Sequence, residues 1–167
     1  MNSAHLLNPL SSNVQQSLDA FQEILKLDGP AGLPYLNARV PHRYTGIYQL
    51  EDGVLRNRYL FDKQGQVLPE ALAAVPLGDS FCQFVLRDGF FATSCSGSDQ
   101  RLNGHLYQGV VNAYVGLPLR DNRAELYGTL CHFDEQALDL PAQEFDFLHQ
   151  VCKLLPRYLS KRVAVSV

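Results

Sequence analysis

The pattern of apolar positions first predicts an amphipathic helix near the start of the chain. Apolar residues follow one another there at helical spacing: Val14, Leu18, Phe21, Ile24 and Leu25. Ser12 and Gln15 fit a capping box, in which the two side chains satisfy free backbone amides at the helix start. Gly29 and Pro30 end this helix, and residues 32–40 are expected to form a short second helix.

A pair of strands joined by a tight turn is predicted next. Residues 42–50 are rich in Tyr, Thr and Ile, Asp52 and Gly53 are a strong hairpin-turn signal, and residues 54–62 form the partner strand. Regular alternation along the partner strand places its apolar side chains on one face: Leu55, Tyr59 and Phe61. A short edge strand is expected at residues 73–77, where a proline is tolerated.

The middle of the chain predicts two short elements and a polar loop. Apolar residues repeat at three and four positions over residues 80–87 and indicate a short helix: Phe81, Phe84 and Val85. Residues 90–95 then predict a short strand. Residues 96–109 are polar and Gly-rich, so we expect a loop with one helical turn near residues 102–107.

A second hairpin carries a glycine in each strand. Residues 114–119 and 127–134 are strand-like and are joined by the polar turn at residues 120–123. Gly116 and Gly128 lie inside these strands, where glycine costs conformational entropy and lost packing. The two glycines therefore predict that another group approaches the backbone closely at this hairpin.

The last predicted element is a helix that begins at about Pro141. One apolar stripe runs along it: Phe145, Leu148, Cys152, Leu155 and Leu159. A second stripe lies beside the first: Phe147, Val151, Leu154 and Tyr158. Together they cover about half of the helix surface, which is wider than one sheet contact needs. Pro156 is expected to kink or end the regular helix.

These elements predict an α+β fold in one domain. Strands joined by hairpins imply an antiparallel sheet, and the first and last helices are expected to share one of its faces. The predicted domain covers residues 12–160, between a flexible N-terminus at residues 1–11 and a C-terminal tail at residues 161–167.

The composition is that of an ordinary globular domain and argues against two kinds of partner. At 167 residues with 46% hydrophobic and 19% charged, the chain can bury one core. The net charge of −3 and the lack of a Lys/Arg block argue against nucleic-acid binding. No apolar run approaches the roughly 20 residues of a membrane span, so no membrane contact is expected.

The N-terminal residues and the cysteines predict a cytoplasmic protein. The first residues lack the charged and apolar segments of a secretory signal. The four cysteines are widely spaced and form no CxxC pair: Cys82, Cys95, Cys131 and Cys152. In the cytosol such cysteines are by default reduced and packed as small apolar residues.

Four pieces of the sequence, in this order, resemble a GAF domain, a small-molecule sensor module related to PAS domains. They are Pro76–Cys82 (PLGDSFC), Ser98–Arg101 (SDQR), the hairpin with two glycines, and the helix from Phe145 onward. The resemblance covers about residues 10–160. It implies a twisted antiparallel sheet of five or six strands with the terminal helices on one face. Short helices and the loop around residues 96–110 would cover a ligand pocket on the other.

The resemblance places several polar and aromatic residues near that pocket. The implied ligand-binding residues are Cys82, Phe84, Asp99, Arg101, Tyr114, Thr129 and Cys131, with His132 as a further candidate. Asp99 and Arg101 have an alternative role, in which they pair with each other or hold the loop to backbone amides. Adjacent strand residues point to opposite faces, so at most one of Cys131 and His132 can face the pocket.

Thiol chemistry is an alternative interpretation. One GAF branch reduces free methionine sulfoxide with cysteines, one of which matches Cys82. Leu72 stands where that branch has an upstream cysteine, and residues 96–112 contain no cysteine. Cys82 with Cys95 remains a candidate redox pair, because Cys82 lies near the start of a short helix.

Other sites and enzyme classes find little support. The spacing of Cys82, Cys95, Cys131 and His132 is not that of a structural zinc site, so no metal site is predicted. No motif for bilin attachment or cyclic-nucleotide binding is present, and common catalytic motifs are missing. The cofactor, if one exists, is unknown, and no catalytic residue is assigned.

We therefore predict a stand-alone, bacterial-type GAF domain that senses a small ligand and regulates a partner. GAF domains commonly dimerise through their terminal helices, so we expect a homodimer with the first and last helices at the interface. A thiol-based redox enzyme or sensor that uses Cys82 and Cys95 is the first alternative. A ligand-free module for protein interaction is the second.

Overall fold

A computed structural model describes residues 12–27, 32–66 and 70–163 of the chain. The predictions for residues 1–11 and for the helix stop at Gly29 and Pro30 lie outside the described residues. The helices are α1 (Ser12–Leu27), α2 (Gly32–Ala38), α3 (Glu70–Ala73), α4 (Cys82–Asp88), α5 (Glu144–Leu154) and α6 (Pro156–Val163). The strands are β1 (Tyr44–Glu51), β2 (Val54–Asp62), β3 (Ala74–Pro76), β4 (Phe91–Thr93), β5 (Ala113–Arg120) and β6 (Leu126–Asp134).

The six strands form one antiparallel sheet in the order β3-β2-β1-β6-β5-β4. The two predicted hairpins, β1–β2 and β5–β6, lie side by side because β1 pairs with β6 at the centre of the sheet. Asp52 and Gly53 both adopt positive φ, at 51° and 76°, as the turn of the first hairpin requires. The predicted α+β class and antiparallel sheet are confirmed.

The helices α1, α2, α5 and α6 cover one side of the sheet, which we call the helix face. Its core contains Val14, Leu18, Phe21, Leu25, Leu36, Ile47, Val115, Leu117, Leu130, Phe147, Leu148, Val151, Leu155 and Leu159, among others. Arg39 joins α2 to α5, because its guanidinium lies 3.0 Å from Glu144 and 3.8 Å above the Phe147 ring. Much of both predicted stripes of the last helix is therefore buried within this chain.

The other side of the sheet, which we call the lid face, is covered by α4 and by residues 96–112, the lid loop. Its core contains Tyr44, Tyr48, Leu55, Phe81, Cys82, Val85, Phe91, Leu102, Tyr114, Cys131 and Phe133. Aromatic rings dominate this core, and Tyr44 stacks on Phe133 with ring centroids 4.9 Å apart. The predicted arrangement of helices on one face and a lid on the other is confirmed.

A bulge in β2 overturns one prediction about side-chain faces. Ile47 pairs with Tyr59 but the next residue, Tyr48, pairs with Asn57, so Arg58 is an extra residue on β2. An extra residue reverses the alternation beyond it. Leu55 therefore lies in the lid-face core, while Tyr59 and Phe61 pack against the helix-face core. The prediction that Leu55, Tyr59 and Phe61 share one face was wrong.

The lid loop also differs from its prediction. Its helical turns lie at Ser96–Ser98 and Gln100–Leu102, before the expected turn at residues 102–107. Asp99 causes the shift, because its side chain accepts a hydrogen bond from the backbone N–H of Arg101 and starts the second turn. Gly104, with φ of 83°, then turns the chain away from helical geometry.

The remaining boundaries differ from the predictions by a few residues. The short helix α3 precedes β3 and was not predicted. The last helix begins at Glu144 rather than Pro141, and its chain continues beyond Pro156 as α6, up to Val163. Pro156 occupies the first position of α6, where its missing N–H leaves no hydrogen bond unmade.

Candidate functional site

The sulfur of Cys82 lies at the centre of a group of hydroxyls on the lid face. Its Sγ lies 3.0 Å from the Tyr114 hydroxyl and 3.2 Å from Thr129 Oγ1. The backbone N–H of Cys82 donates to Ser80 Oγ at 3.0 Å, which fixes the start of α4 above the sheet. Because α4 packs against β5 and β6, residues that are distant in the sequence meet at this sulfur.

Gly116 allows Tyr114 to reach Cys82. The Tyr114 ring folds along its own strand, so that a Cβ on Gly116 would lie 2.5 Å from the Tyr114 hydroxyl and 2.8 Å from Val85 Cγ2. Gly128 has a different neighbour, since a Cβ there would collide with the backbone carbonyl oxygen of Tyr48. Both glycines thus mark a close approach, as predicted, and the approaching groups belong to the chain itself.

Cys131 lies on β6, and its cross-strand partners on both neighbouring strands are glycines. It pairs with Gly46 on β1 and with Gly116 on β5. Because the glycines have no side chains, two aromatic rings cover the sheet surface there. The Tyr48 ring lies beside Gly46, and the Tyr114 ring lies above Gly116. The Cys131 thiol is buried and contacts the Gly46 carbonyl oxygen at 3.8 Å.

A small cavity opens beside the two thiols, and we call it the thiol cavity. Its volume is about 60 Å³. The residues around it are Tyr48, Ala71, Leu72, Val75, Ser80, Phe81, Cys82, Tyr107, Val111, Tyr114, Cys131 and Phe133. At about 10–15 Å³ for one enclosed water, this space suits a group of only a few non-hydrogen atoms. Its walls are mostly apolar, and the hydroxyls and thiols provide the directed polar contacts of a ligand site.

The environment of the two thiols separates their acidities. Hydrogen bonds from Cys131, Ser80, Thr129 and Tyr114 hold the pKa of Cys82 below its ordinary value, although burial opposes this. The hydrogen bond to Cys82 and burial together raise the pKa of Cys131. Burial also raises the pKa of Tyr114 well above its usual range, so its hydroxyl keeps its proton and can donate to Cys82. The pair therefore favours a thiolate at Cys82 beside a protonated thiol at Cys131.

Four of the predicted ligand residues come together here, and three do not. Cys82, Tyr114 and Cys131 line the thiol cavity, and Thr129 contacts Cys82. Phe84 packs on Phe91 with ring centroids 5.0 Å apart and does not line the cavity.

Asp99 and Arg101 pair with each other, outside the thiol cavity. Arg101 donates to both carboxylate oxygens of Asp99, at 3.0 and 2.6 Å, and to the carbonyl of Ala92 at 2.8 Å. The guanidinium of Arg101 holds the pKa of Asp99 at about 2. This geometry matches the alternative role in which the pair holds the lid loop in place.

Two residues that the sequence did not single out fix the base of the lid loop. Ser96 is buried, donates to the carbonyl of Val111 at 2.6 Å and accepts from the N–H of Gly109 at 2.9 Å. Asn112 accepts from the N–H of Gly97 and donates to the carbonyl of Glu135. Both are common loop residues, so only their neighbours in the fold reveal this role.

Cys95 lies at this base and not in the thiol cavity. It is half-buried, and its Sγ is 4.0 Å from Asn112 Oδ1. Hydrogen bonds from Ser98 lower the pKa of its thiol. The cysteine beside Cys82 is thus Cys131, whereas the sequence pointed to Cys95.

His132 points to the helix face, opposite Cys131, as strand alternation requires. Its Nδ1 lies 2.6 Å from Thr45 Oγ1, which also accepts a hydrogen bond from the side chain of Asn37. Burial lowers the pKa of His132 to about 3, and lowers that of His42, whose ring lies 6.0 Å away. Among the described residues, His132 Nε2 and His42 Nδ1 are buried nitrogens without a hydrogen-bond partner.

A second cavity of about 160 Å³ lies beside His42, bordered by Thr93, Ser94 and Leu138 among others.

In the parts of the chain that the structure describes, no three His, Cys, Asp and Glu side chains are grouped to hold a metal ion. None of the helices within residues 12–27, 32–66 and 70–163 has both the length and the apolar character of a membrane span.

The chain resembles known proteins in its structure rather than in its sequence. No protein-family model matches the chain, and no curated protein matches it. The GAF domain of a phosphoenolpyruvate-protein phosphotransferase from Acinetobacter is similar, with 16% identity, a TM-score of 0.66, and coverage of 90% of this chain and 96% of that one.

Two reductases are similar to the same degree. A free methionine-R-sulfoxide reductase from Neisseria meningitidis, solved with its substrate, has 16% identity and a TM-score of 0.66 over 94% of this chain and 96% of that one. A type II free methionine-R-sulfoxide reductase from Thermoplasma acidophilum has 17% identity and a TM-score of 0.63 over 84% and 96%. Likeness at such identities concerns the fold, and this chain has the fold of a GAF-type domain.

Proposed function

We propose that this GAF-type domain is a sensory module that binds a small ligand in the thiol cavity. The observation that carries the proposal is the convergence of Cys82, Tyr114 and Cys131 on one small, mostly apolar cavity beneath the lid loop. Apolar walls with a few directed polar groups are the usual composition of a small-molecule site.

The sheet offers a route from the ligand to the helices. Tyr114 lies on the lid face of β5, and its neighbour Val115 is buried in the helix-face core, where α5 packs on β5. A ligand that favours one position of Tyr114 would shift the population of α5 positions on the other face.

A homodimer through α1 and the last helices belongs to the same proposal. Light scattering coupled to size-exclusion chromatography tests it, with a dimer expected at micromolar concentration. A monomer at that concentration would remove the dimer from the proposal and leave the ligand site untouched.

Ligand binding is tested with small fragments and a pair of adjacent lid-loop variants. Val111 lines the thiol cavity, whereas the next residue outside it, Val110, is 54% exposed. Fragments of up to about four non-hydrogen atoms suit a cavity of about 60 Å³, at about 10–15 Å³ for one enclosed water. Binding is followed by amide chemical shifts of Cys82, Tyr114 and Cys131.

The two variants separate binding in the cavity from binding elsewhere. Val111→Phe fills the cavity and is expected to abolish the shifts, while Val110→Phe leaves them as in the unaltered chain. The proposal fails if no fragment shifts these amides, or if Val111→Phe binds as well as Val110→Phe.

A thiol-based reductase is the second candidate, because Cys82 is a thiol with lowered pKa that lines the cavity. The size of the cavity argues against free methionine sulfoxide in this lid position, since about 150 Å³ is the volume that takes up benzene. The test is reduction of methionine sulfoxide with dithiothreitol as reductant. Turnover that is lost in Cys82→Ser and kept in Cys95→Ser would support a reductase, and no turnover would exclude it.

A further inference from the structure

The two thiols of the cavity are brought together by parts of the fold that do not adjoin in sequence. Cys82 begins α4, and its sulfur contacts Thr129, which lies two residues before Cys131 on the same face of β6. The Tyr114 hydroxyl, also in contact with Cys82, lies above Gly116, the strand partner of Cys131. Both thiols line the same cavity. We propose that Cys82 and Cys131 form a two-cysteine site that reduces small hydroperoxides, with Cys82 as the nucleophile and Cys131 as the resolving thiol.

The surroundings of Cys82 suit a nucleophilic sulfur. Its neighbours Tyr114 and Thr129 place hydroxyl oxygens 3.0 and 3.2 Å from the sulfur, and both residues are buried. Donors at this distance stabilise negative charge on sulfur. Tyr114 also lines the cavity, so its hydroxyl can donate to the oxygen that leaves when the peroxide bond breaks and lower the energy of the developing oxyanion.

The surroundings of Cys131 suit a resolving thiol. Gly46 and Gly116 flank it on the two neighbouring strands, and the Tyr48 and Tyr114 rings that cover these glycines line the same cavity as the two thiols. The thiol is buried beneath the cavity and makes a weak contact with the Gly46 carbonyl. A protonated thiol held beside the nucleophile can react as soon as the nucleophile is oxidised.

The reaction proceeds in two balanced steps. The Cys82 thiolate attacks one oxygen of the hydroperoxide ROOH, the O–O bond breaks, and ROH leaves with the proton that Cys82 gave up. Cys82 becomes a sulfenic acid, having lost two electrons that the peroxide gained. The Cys131 sulfur then attacks the Cys82 sulfur, the S–O bond breaks, and water leaves with the Cys131 proton as the disulfide forms. An external dithiol supplies the two electrons that restore both thiols.

The cavity limits the peroxide to a small one. A volume of about 60 Å³ admits hydrogen peroxide or a short alkyl hydroperoxide, and its apolar walls exclude charged substrates. Cumene hydroperoxide contains a benzene ring, which needs a cavity of about 150 Å³. We expect it to react at least about tenfold more slowly than hydrogen peroxide, because it cannot approach the Cys82 sulfur.

The first test uses the unaltered chain. The reduced protein is treated with an equimolar amount of hydrogen peroxide, unfolded in N-ethylmaleimide to block all remaining thiols, and digested for peptide mapping. We expect a peptide pair that joins Cys82 to Cys131, with Cys152 alkylated. The proposal is overturned if Cys82 and Cys131 are both alkylated after the peroxide is consumed, or if Cys82 is joined to Cys95.

The second test uses variants in a Cys95→Ser background, which removes the half-buried competing thiol. In Cys131→Ala no resolving thiol is present, so the oxidation of Cys82 is expected to end at the sulfenic acid. Dimedone would trap this sulfenic acid as a single adduct. In Cys82→Ala, peroxide consumption is expected to fall by at least about tenfold, since burial disfavours the thiolate form of the two remaining thiols, Cys131 and Cys152. Tyr114→Phe removes one donor and is expected to slow the first step several-fold while the disulfide still forms. Unchanged rates in Cys82→Ala and Tyr114→Phe would overturn the assignment of Cys82 as nucleophile.

The outcome is separable from ligand sensing. Fragment binding is measured on the reduced protein without oxidant, and disulfide formation is measured without fragments. A protein that binds fragments but keeps both thiols reduced overturns the hydroperoxide reaction alone. A protein that forms the disulfide but binds no fragment supports the reaction and overturns only the sensory proposal.

Discussion

On the lid face of the sheet, hydroxyls surround the buried sulfur of Cys82, whereas on the helix face two buried imidazoles each have a ring nitrogen without a hydrogen-bond partner among the described residues. The donors on the lid face converge beside a cavity, and they stabilise the charged form of the group that they surround. Burial on the helix face, by contrast, favours the neutral form of His132 and His42.

The difference indicates separate roles for the two faces. Because its charged form is stabilised beside a cavity, the Cys82 thiol can react with a small molecule or bind one. Ionisable groups with shifted pKa values at a cavity are typical of functional sites. The polar cluster of the helix face ties α2 to the sheet, because Asn37 donates to Thr45 Oγ1 and to the carbonyl of His42 and accepts from Lys63. Variants that alter one face without the other test this division.

The largest effect is expected where the sheet backbone itself leaves no room, at Gly128. Alanine there would place a Cβ against the backbone carbonyl of Tyr48, which cannot move without separating β1 from β6. Since overpacking alone costs about 1–3 kcal/mol, we expect Gly128→Ala to lower the free energy of unfolding by more than about 3 kcal/mol. Urea denaturation followed by circular dichroism measures it.

The matched control is Gly78→Ala. A Cβ at Gly78 would meet nothing within 4 Å, and its φ is not positive. This variant is expected to stay within about 0.5 kcal/mol of the unaltered chain. Equal stability of the two alanine variants would contradict the close approach of β1 to Gly128.

The next largest effect tests the helix-face cluster. Asn37 is fully buried and holds Thr45, His42 and Lys63 through its side chain, so Asn37→Ala leaves several polar groups without partners. Each buried group left unpaired costs about 1–3 kcal/mol, and we expect a loss of about 3 kcal/mol in the free energy of unfolding.

Asn57→Ala is the control for that variant. Asn57 is half-buried on β2 and its side chain donates to the Tyr59 carbonyl at 3.1 Å. Its loss is expected to cost about 1 kcal/mol or less. If both asparagine variants lose the same stability, the cluster does not tie α2 to the sheet.

The third prediction concerns the pH dependence of stability. The pKa of His132 is about 3 in the folded chain, whereas an unfolded histidine has a pKa of about 6.5. Between these values the unfolded chain binds a proton that the folded chain does not, so the contribution of His132 to stability is full above about pH 6.5 and falls as the pH decreases. The expected slope is about 1.4 kcal/mol per pH unit for this histidine, and the lowered pKa values of His42 and His105 add to it.

Other groups also titrate between pH 6.5 and 4.5: the raised pKa of Glu144 opposes the slope and the lowered pKa of Cys82 adds to it near pH 6, so His132 is isolated by comparing variants. The lowered carboxyl pKa values of Asp62 and Asp99, both about 2, affect stability only at lower pH. His132→Gln is expected to reduce the slope, while Gly78→Ala, which removes no titratable group, leaves it unchanged. Urea midpoints at several pH values give the slope, and an unaltered slope in His132→Gln would contradict the assignment.

The sequence predicted the order of elements well because helical and strand periodicity are local. The hairpin at Asp52 and Gly53 is one example, since both residues favour the positive φ that the turn requires. The bulge at Arg58 was missed because it depends on how β2 pairs with β1. Alternation within β2 alone cannot reveal the extra residue.

The candidate site shows the same limit. Gly116 and Gly128 correctly signalled close approach, but the approaching groups, Tyr114 and the Tyr48 carbonyl, are known only from the folded chain. The sequence offered Cys95 as the partner of Cys82 across the short helix and the strand that follows it. The sheet instead brings Cys131 beneath α4, because β6 crosses to the centre of the sheet between β1 and β5.

The smallest expected effect concerns how Gly116 and Tyr114 work together on the lid face. Gly116→Ala alone is expected to cost about 1–3 kcal/mol, because the added Cβ would lie 2.5 Å from the Tyr114 hydroxyl and 2.9 Å from its ring. Tyr114→Phe removes the nearer of these two contacts. In the Tyr114→Phe background, Gly116→Ala is therefore expected to cost about 1 kcal/mol less than in the unaltered chain, as a double-mutant cycle in urea would measure. The same cycle with Gly78→Ala should be additive within about 0.5 kcal/mol, since nothing approaches that glycine. Additivity in the Gly116 cycle would mean that the Tyr114 ring does not lie above Gly116, and its hydroxyl would then lose the support that holds it against Cys82.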